Sequence, residues 1–259
     1  MNDKGYEYRD LVATTWDLLR GDTSLWPDKF FYRDFITLNG GSVLDVGCGT
    51  GRLLLDYMAD GIDIDGVDNS PEMLALCREK ASGLGLKPTL FQQSMEDLDL
   101  PRRYRIILVP SSSFQLVMDI DSAKRTMKHF YNHLESGGVL IMPFMIIWQE
   151  GNPLEKDWVL DAEKERPDDG AVIRRWSRAR YDLKNQLEHT ETRFEASLDG
   201  EIVASEYHAQ SPATRWYTQS QACDLYHQAG FTDLLLFSEF SQQPASDEDN
   251  IFSVVGTKP

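Results

Sequence analysis

Two short stretches of this 259-residue chain carry groups that can hold a nucleoside-like ligand. The first is Val43-Leu44-Asp45-Val46-Gly47-Cys48-Gly49-Thr50-Gly51-Arg52. It opens as an apolar run too short for a helix and continues with three glycines at alternate positions. Leu53, Leu54, Leu55, Tyr57 and Met58 then follow in a helical pattern. A strand that turns through glycines into a helix lays bare backbone against a ligand beside the helix N-terminus. The second stretch, residues 62–68, reads as a strand ending in Asp68. Beyond it Ser70 is an N-cap and Pro71 the first position of a helix carrying Met73, Leu74, Leu76 and Cys77. A carboxylate at that strand end can accept both hydroxyls of a ribose lying across the strand ends. The spacing Gly47-x-Gly49-x-Gly51 departs from the dinucleotide fingerprint G-x-G-x-x-G, and no Lys or Thr follows in Walker order, which disfavours phosphate transfer.

The elements that must position these groups alternate. Short segments at 43–46, 62–68, 89–91, 104–109 and 139–144 predict strands, the fourth ended by Pro110. The segments between them predict helices, the last over 121–134 and stopped by Gly137-Gly138. This is the signature of a parallel sheet covered on both faces. The first forty residues are helical in pattern, with Asp22 or Thr23 capping a second helix and Pro27 near its first turn. Core packing accounts for most of their aromatics, whereas Trp16 and Trp26 lie beside the break, where a lid over a ligand would sit. From about residue 151 the pattern changes: 171–181, 186–198 and 201–210 are extended, with Asp199-Gly200 as a hairpin turn. Arg174, Arg175, Arg178 and Arg180 run opposite Glu188, Glu191 and Glu195, which predicts cross-strand ion pairs. A helix over 218–229, capped by Thr218 and stopped by Gly230, precedes two closing strands at 231–237 and 251–255. The chain is thus divided into a helical cap (1–39), an α/β domain (40–150 with 214–259) and an antiparallel β insertion (151–213) serving as substrate cover or dimer contact.

A formal net charge of −16 argues against nucleic acid or an anionic membrane as partner, because phosphates need Lys and Arg to neutralise them. No run approaches the ~20 apolar residues that span a bilayer. Met1-Asn2-Asp3-Lys4-Gly5 lacks the apolar region of a signal peptide, which points to a cytoplasmic protein. Cys48, Cys77 and Cys223 show no metal-ligand spacing and cannot all pair, in keeping with a reducing compartment. His129, His133, His189, His208 and His227 form no ligand cluster either, so no metal is expected.

The glycine motif, Asp68 and the helix start Ser70-Pro71-Glu72-Met73-Leu74 together resemble the class I S-adenosylmethionine-dependent methyltransferases. The resemblance covers roughly residues 40–145, and the helix–strand–strand ending fits the same fold. It implies an α/β fold: a seven-stranded, mostly parallel Rossmann-like methyltransferase sheet with helices on both faces and its last strand antiparallel. It also implies S-adenosylmethionine as cofactor and S-adenosylhomocysteine as product. Gly47, Cys48 and Gly49 would then face the amino-acid end of the cofactor, oriented by Asp45. Asp68 would bind the ribose, with Asn69 and Met73 flanking the adenine. Met95 and Glu96 would meet the adenine edge, where Ser94 stands in place of the family's frequent Asp. Pro110, Trp16 and Trp26 complete the cofactor set.

Methyl transfer from a sulfonium is an in-line displacement, so the enzyme mainly aligns nucleophile and methyl group and excludes water. Substrate is expected above the strand ends, bordered by Ser113 and Gln115 in the loop 110–117, with Trp148, Arg215 and Tyr217 as further wall candidates. The Asp/Asn-Pro-Pro-Tyr/Phe signature of nucleobase and glutamine amide methyltransferases is absent, Val109-Pro110-Ser111-Ser112 standing there instead. A β insertion with a helical cap is similar to small-molecule N-methyltransferases, including those acting on amino sugars. In the sugar enzymes a His often sits after the fourth strand; Gln115 takes its place here and cannot act as a base. It can orient an amine that arrives deprotonated. The expected function is methyl transfer to a small-molecule amine or hydroxyl. A non-catalytic cofactor-binding or assembly protein and a nicotinamide-dependent dehydrogenase are the alternatives, and a homodimer is an open expectation.

Overall fold

The computed structural model describes residues 8–259; Met1–Gly5, read above for a signal sequence, lies outside them. The chain separates into two compact units. One joins helix α1 (Asp10–Arg20) to Ile147–Arg215; the other consists of Ser24–Ile146 and Trp216–Pro259.

The larger unit runs α2 (Pro27–Asn39), β1 (Val43–Val46), α3 (Leu54–Ala59), β2 (Ile64–Asp68), α4 (Pro71–Gly83), β3 (Thr89–Gln92), β4 (Tyr104–Leu108), α5 (Ile120–His133) and β5 (Leu134–Met145). Its sheet has the order β10-β11-β5-β4-β1-β2-β3, completed by α6 (Gln219–Ala229), β10 (Thr232–Ser238) and β11 (Ile251–Thr257). β1 pairs in parallel with β2 and β4, and β4 with β5, while β11 runs antiparallel to both β5 and β10. The seven strands and the antiparallel last strand are those the sequence predicts. Alternate residues divide the core in two. Leu44, Val46, Ile107, Leu140 and Met142 meet Met127, Phe130, Leu225 and Tyr226 of α5 and α6. Val43, Ile106, Leu108 and Ile141 meet Phe31, Phe35, Leu54, Tyr57 and Cys77 of α2, α3 and α4 on the other face.

Helix α2 begins differently from expectation. Trp26 is its N-cap and Pro27 its first residue, so the cap position falls on neither Asp22 nor Thr23. β5 starts at Leu134 and runs through Gly137 and Gly138, because the Gly137 amide donates to the Lys258 carbonyl at 2.7 Å instead of ending the chain's extension there.

The smaller unit is a four-stranded antiparallel sheet, β6 (Glu155–Glu165), β7 (Val172–Asp182), β8 (Leu187–Leu198) and β9 (Glu201–Arg215), in sequence order. Asp199 and Gly200 both take positive φ, as a tight hairpin turn requires. Leu11 and Val12 of α1 pack on Phe194, and the Leu11 amide donates to Glu206 Oε1 at 2.8 Å. The arginine run does pair across strands: Arg178 reaches Glu191 at 2.6 Å in β8. Arg174 and Arg175 turn to Glu163 and Asp161 on β6, a strand missing from the sequence reading. Among the described residues no helix is long and apolar enough to cross a membrane.

Candidate active site

Strand order fixes where a ligand can sit. From β1 the chain steps outward through β2 and β3, then returns to β4 on the other side of β1. The connections leaving β1 and β4 therefore diverge and open a crevice at their carboxyl ends. One wall is the glycine turn, the other the loop 110–117. Gly47 (φ +72°) and Gly51 (φ +85°) hold the turn in a conformation that side chains resist. A Cβ on Gly47 would lie 2.9 Å from Ser113 Oγ across the crevice, and one on Gly51 would lie 2.6 Å from Cys77 Sγ. Gly49 differs: only Met73 Cε, at 3.5 Å, stands near its missing Cβ. Gly47→Ala is expected to cost about 1–3 kcal/mol from backbone strain and a further increment from displacing Ser113. Urea unfolding reads this against Gly61→Ala, where φ is +81° and nothing lies within 4 Å; equal losses would remove the Ser113 contact from the account.

Asp68, at the end of β2, is almost fully buried and ties the turn to α4. Its Oδ2 accepts from the Gly49 amide at 2.9 Å and its Oδ1 from the Ser70 amide at 2.8 Å. Burial pushes its carboxyl up, against the pull of these amides. Ser70 caps α4 as predicted, its Oγ accepting from the Met73 amide at 3.1 Å. Asn69 beside it is exposed, and Met73 is buried against the turn. Met95 and Glu96 lie half-buried in a single turn after β3, where Ser94 Oγ accepts from the Glu96 amide at 3.3 Å.

Below the glycines lies a buried polar cluster. Asp45 is enclosed by the protein, its Oδ1 has no hydrogen-bond partner, and burial raises its carboxyl to about 7. Arg52 opposes that rise, while Asp68 and Asp28 add to it. Arg52 grips Asp28 of α2 with both terminal nitrogens, Nη1 at 3.0 Å from Oδ1, and its guanidinium stands 5.1 Å from the centroid of the Trp26 ring. Tyr32, one turn further along α2, is fully buried with its hydroxyl unpartnered. Cys48 turns its thiol inward toward Gly66, and burial raises it. The sequence reading passed over Asp28, Tyr32 and Arg52. Only the adjacency of Arg52 to the third glycine offered a signal.

On the facing wall Pro110 is buried and Ser113 Oγ donates to the Pro110 carbonyl at 2.9 Å. Gln115 is fully buried: its Nε2 donates to the Met145 carbonyl at 3.0 Å, and its Oε1 accepts from the Met145 amide at 2.7 Å. Both ends of this amide are thus engaged by backbone at the end of β5. Tyr217 packs its ring on Phe114 and Phe144, at 6.0 and 5.8 Å between centroids.

Trp16, Trp148 and Arg215 belong to the smaller unit. Trp16 is half-buried between Tyr8 and Arg20, and Trp148 Nε1 donates to the Asn152 and Pro153 carbonyls at 3.2 and 3.3 Å. Arg215 Nη1 donates to the Asn185 carbonyl at 2.7 Å.

Comparison with known proteins adds to this geometry. A family described as a methyltransferase domain matches residues 43–138. A dTDP-3-amino-3,4,6-trideoxy-alpha-D-glucopyranose N,N-dimethyltransferase of Streptomyces venezuelae is 30% identical over 106 residues, covering 41% of this chain and 43% of that protein. Among solved structures, an S-adenosylmethionine-dependent methyltransferase from Clostridium acetobutylicum superposes with a TM-score of 0.74 at 20% identity, over 94% of this chain and 96% of its own. The sugar N-methyltransferase KedS8 from Streptoalloteichus superposes at 0.73 and 22% identity, over 98% and 96%.

Proposed function

We propose, for a chain that is an S-adenosylmethionine-dependent methyltransferase of the class I fold, that its methyl acceptor is the amine of a small polar molecule of the amino-sugar kind. The observation that carries this reading is the loop after β4. It offers the hydroxyls of Ser111, Ser112 and Ser113 and the occupied amide of Gln115, and no group that takes up a proton at neutral pH. An aliphatic hydroxyl must lose its proton to attack, so it needs a positioned base, whereas an amine supplies its own neutral fraction. The names of the relatives that act on amino groups of sugars support the same class.

The residues of the crevice fit the cofactor. When bound, S-adenosylmethionine supplies an electrophilic methyl group on sulfur. Asp45 Oδ1, buried and unpartnered, accepts from the ammonium of its amino-acid end; the backbone at Gly47, Cys48 and Gly49 forms the adjoining surface, with space left at Gly49. Asp68 spends two of its acceptor positions on Gly49 and Ser70 and keeps the others for the ribose hydroxyls. Asn69 and Met73 flank the adenine, Met95 and Glu96 meet its edge, and Pro110 and Trp26 border the crevice. Ser113 and Tyr217 face the acceptor. Gln115 is a positioning residue here, holding the loop to β5 through Met145. Self-association belongs to the same proposal: the edge strand β6 exposes Trp158, Val159 and Leu160 beside unpaired backbone. A monomeric mass in sedimentation equilibrium at micromolar concentration would remove it.

Release of S-adenosylhomocysteine, measured against matched amino and hydroxy sugars and their nucleotide conjugates, tests the acceptor class. Turnover is expected with the amino compound only, rising with pH as that amine deprotonates. Equal turnover of the hydroxy counterpart would overturn the reading.

A further inference from the structure

The cluster beneath the glycine turn contains an ion pair that packing alone does not explain. Arg52 and Asp28 are mostly enclosed, their side chains 12% and 6% exposed. Burying two charges can cost more than their attraction returns, and an apolar pair would hold α2 against the turn as well. What an apolar pair cannot supply is a positive charge acting on Asp45 within the buried cluster. The groups coupled electrostatically to that carboxylate come from every neighbouring element: Arg52 and Cys48 from the turn, Asp68 from β2, and Asp28 and Tyr32 from α2. Tyr57 and the Leu54 amide come from α3, and Cys77 from α4. Arg52 is the one cation among these described groups.

We infer that Arg52 is a positioning residue: locked to α2 by Asp28 and Trp26, it supplies the positive charge that lets Asp45 present a carboxylate to the cofactor's ammonium. The fork of Asp28 and the Trp26 ring fix the guanidinium in direction as well as distance, which a flexible lysine would not reproduce. Gly51, closed against Cys77 and Leu55, fixes the backbone from which Arg52 departs. The inference rests on the placement of Asp45 at the cofactor proposed above.

The test is made first on ligand-free protein. Side-chain carboxyl carbon NMR follows the titration of Asp45 in wild type, Arg52→Met, Arg52→Lys and the double variant Asp28→Asn/Arg52→Met, which spares the fold a lone buried anion. In Arg52→Met the Asp45 midpoint is expected to rise by about one pH unit or more. S-adenosylmethionine affinity by calorimetry is expected to fall about tenfold at pH 7 and to recover at pH 9. Arg52→Lys, which keeps the charge without the fork, should restore only part of the midpoint, and the double variant should rise less than Arg52→Met. An unmoved midpoint in both Arg52→Met and the double variant overturns the inference while leaving Asp45 at the cofactor. So does an affinity loss that is equal at pH 7 and pH 9. A midpoint that moves with unchanged affinity overturns the placement of Asp45 itself, and the inference with it.

Discussion

Asp68→Asn is expected to weaken S-adenosylmethionine binding by two orders of magnitude or more while the protein stays folded. Each oxygen of Asp68 already accepts a backbone amide, Gly49 at one end and Ser70 at the other. An asparagine keeps one oxygen and turns an NH2 group toward the other amide, so one of the two joints between the glycine turn and α4 opens. The ribose hydroxyls lose a charged acceptor at the same time. Hydrogen bonds to an ionised group contribute about 1.5–3 kcal/mol each. Two of them correspond to roughly 10²–10⁴-fold in affinity. The ribose is common to substrate and product, so S-adenosylhomocysteine should weaken by the same factor. Calorimetry of both ligands against wild type measures it. Undiminished binding would sink the assignment of Asp68, and a loss confined to one ligand would place Asp68 near the sulfur instead of the ribose.

What the sequence made legible is what neighbouring residues encode. The glycine turn, the acid ending β2 and the Ser70-Pro71 helix start are each fixed within a few positions, and all three stand where their patterns imply. The sheet was readable for a related reason: its buried parallel strands are short, mostly apolar segments bounded by turn residues. β6 lacked that mark. Every residue from Glu155 to Glu165 except Ala162 is exposed, and Glu, Lys, Ala and Leu in that segment favour helix over strand, so no alternation betrays it. Its strand state comes from pairing with β7, where Glu163 and Asp161 meet Arg174 and Arg175. The same limit hid the chemistry under the turn. Asp28 and Arg52 lie on different elements, as do Gln115 and Met145, and side-chain partners brought together by packing leave no periodic signal. Gln115 was therefore read from its position after β4 as a group facing substrate, whereas its amide is held by the backbone of β5.

Asp45→Asn should make the ligand-free protein more stable at pH 8, and the advantage should shrink by more than half at pH 5 and vanish below pH 4. Burial raises Asp45 from the ordinary carboxylate value of 3.8 to about 7. Between those values the folded chain keeps a proton that the unfolded chain releases, so stability falls as pH rises through the window and stays low above it. Taken whole, such a shift is worth on the order of 4 kcal/mol. Asparagine escapes this cost because it never ionises, although its own NH2 group inherits an unpartnered position and returns part of the gain. At about 2–4 °C per kcal/mol for a chain of this size, calorimetric scans should show the variant melting several degrees above wild type at pH 8. At pH 5 the difference should be less than half that at pH 8, since Asp45 is protonated there in the fold but already ionised in the unfolded chain, and it should close only below pH 4. An equal difference at both pH values would mean that the substitution acts through packing, not charge. The ligand reverses the sign. Saturating S-adenosylmethionine should raise the melting temperature of wild type more at pH 8 than at pH 5, because an ionised Asp45 is repaid by the ammonium it accepts from. The Asn variant should gain little at either pH. With Asp45 placed at the cofactor as proposed, its carboxylate is one that the fold bears at a cost when empty and recovers when the ligand is in place.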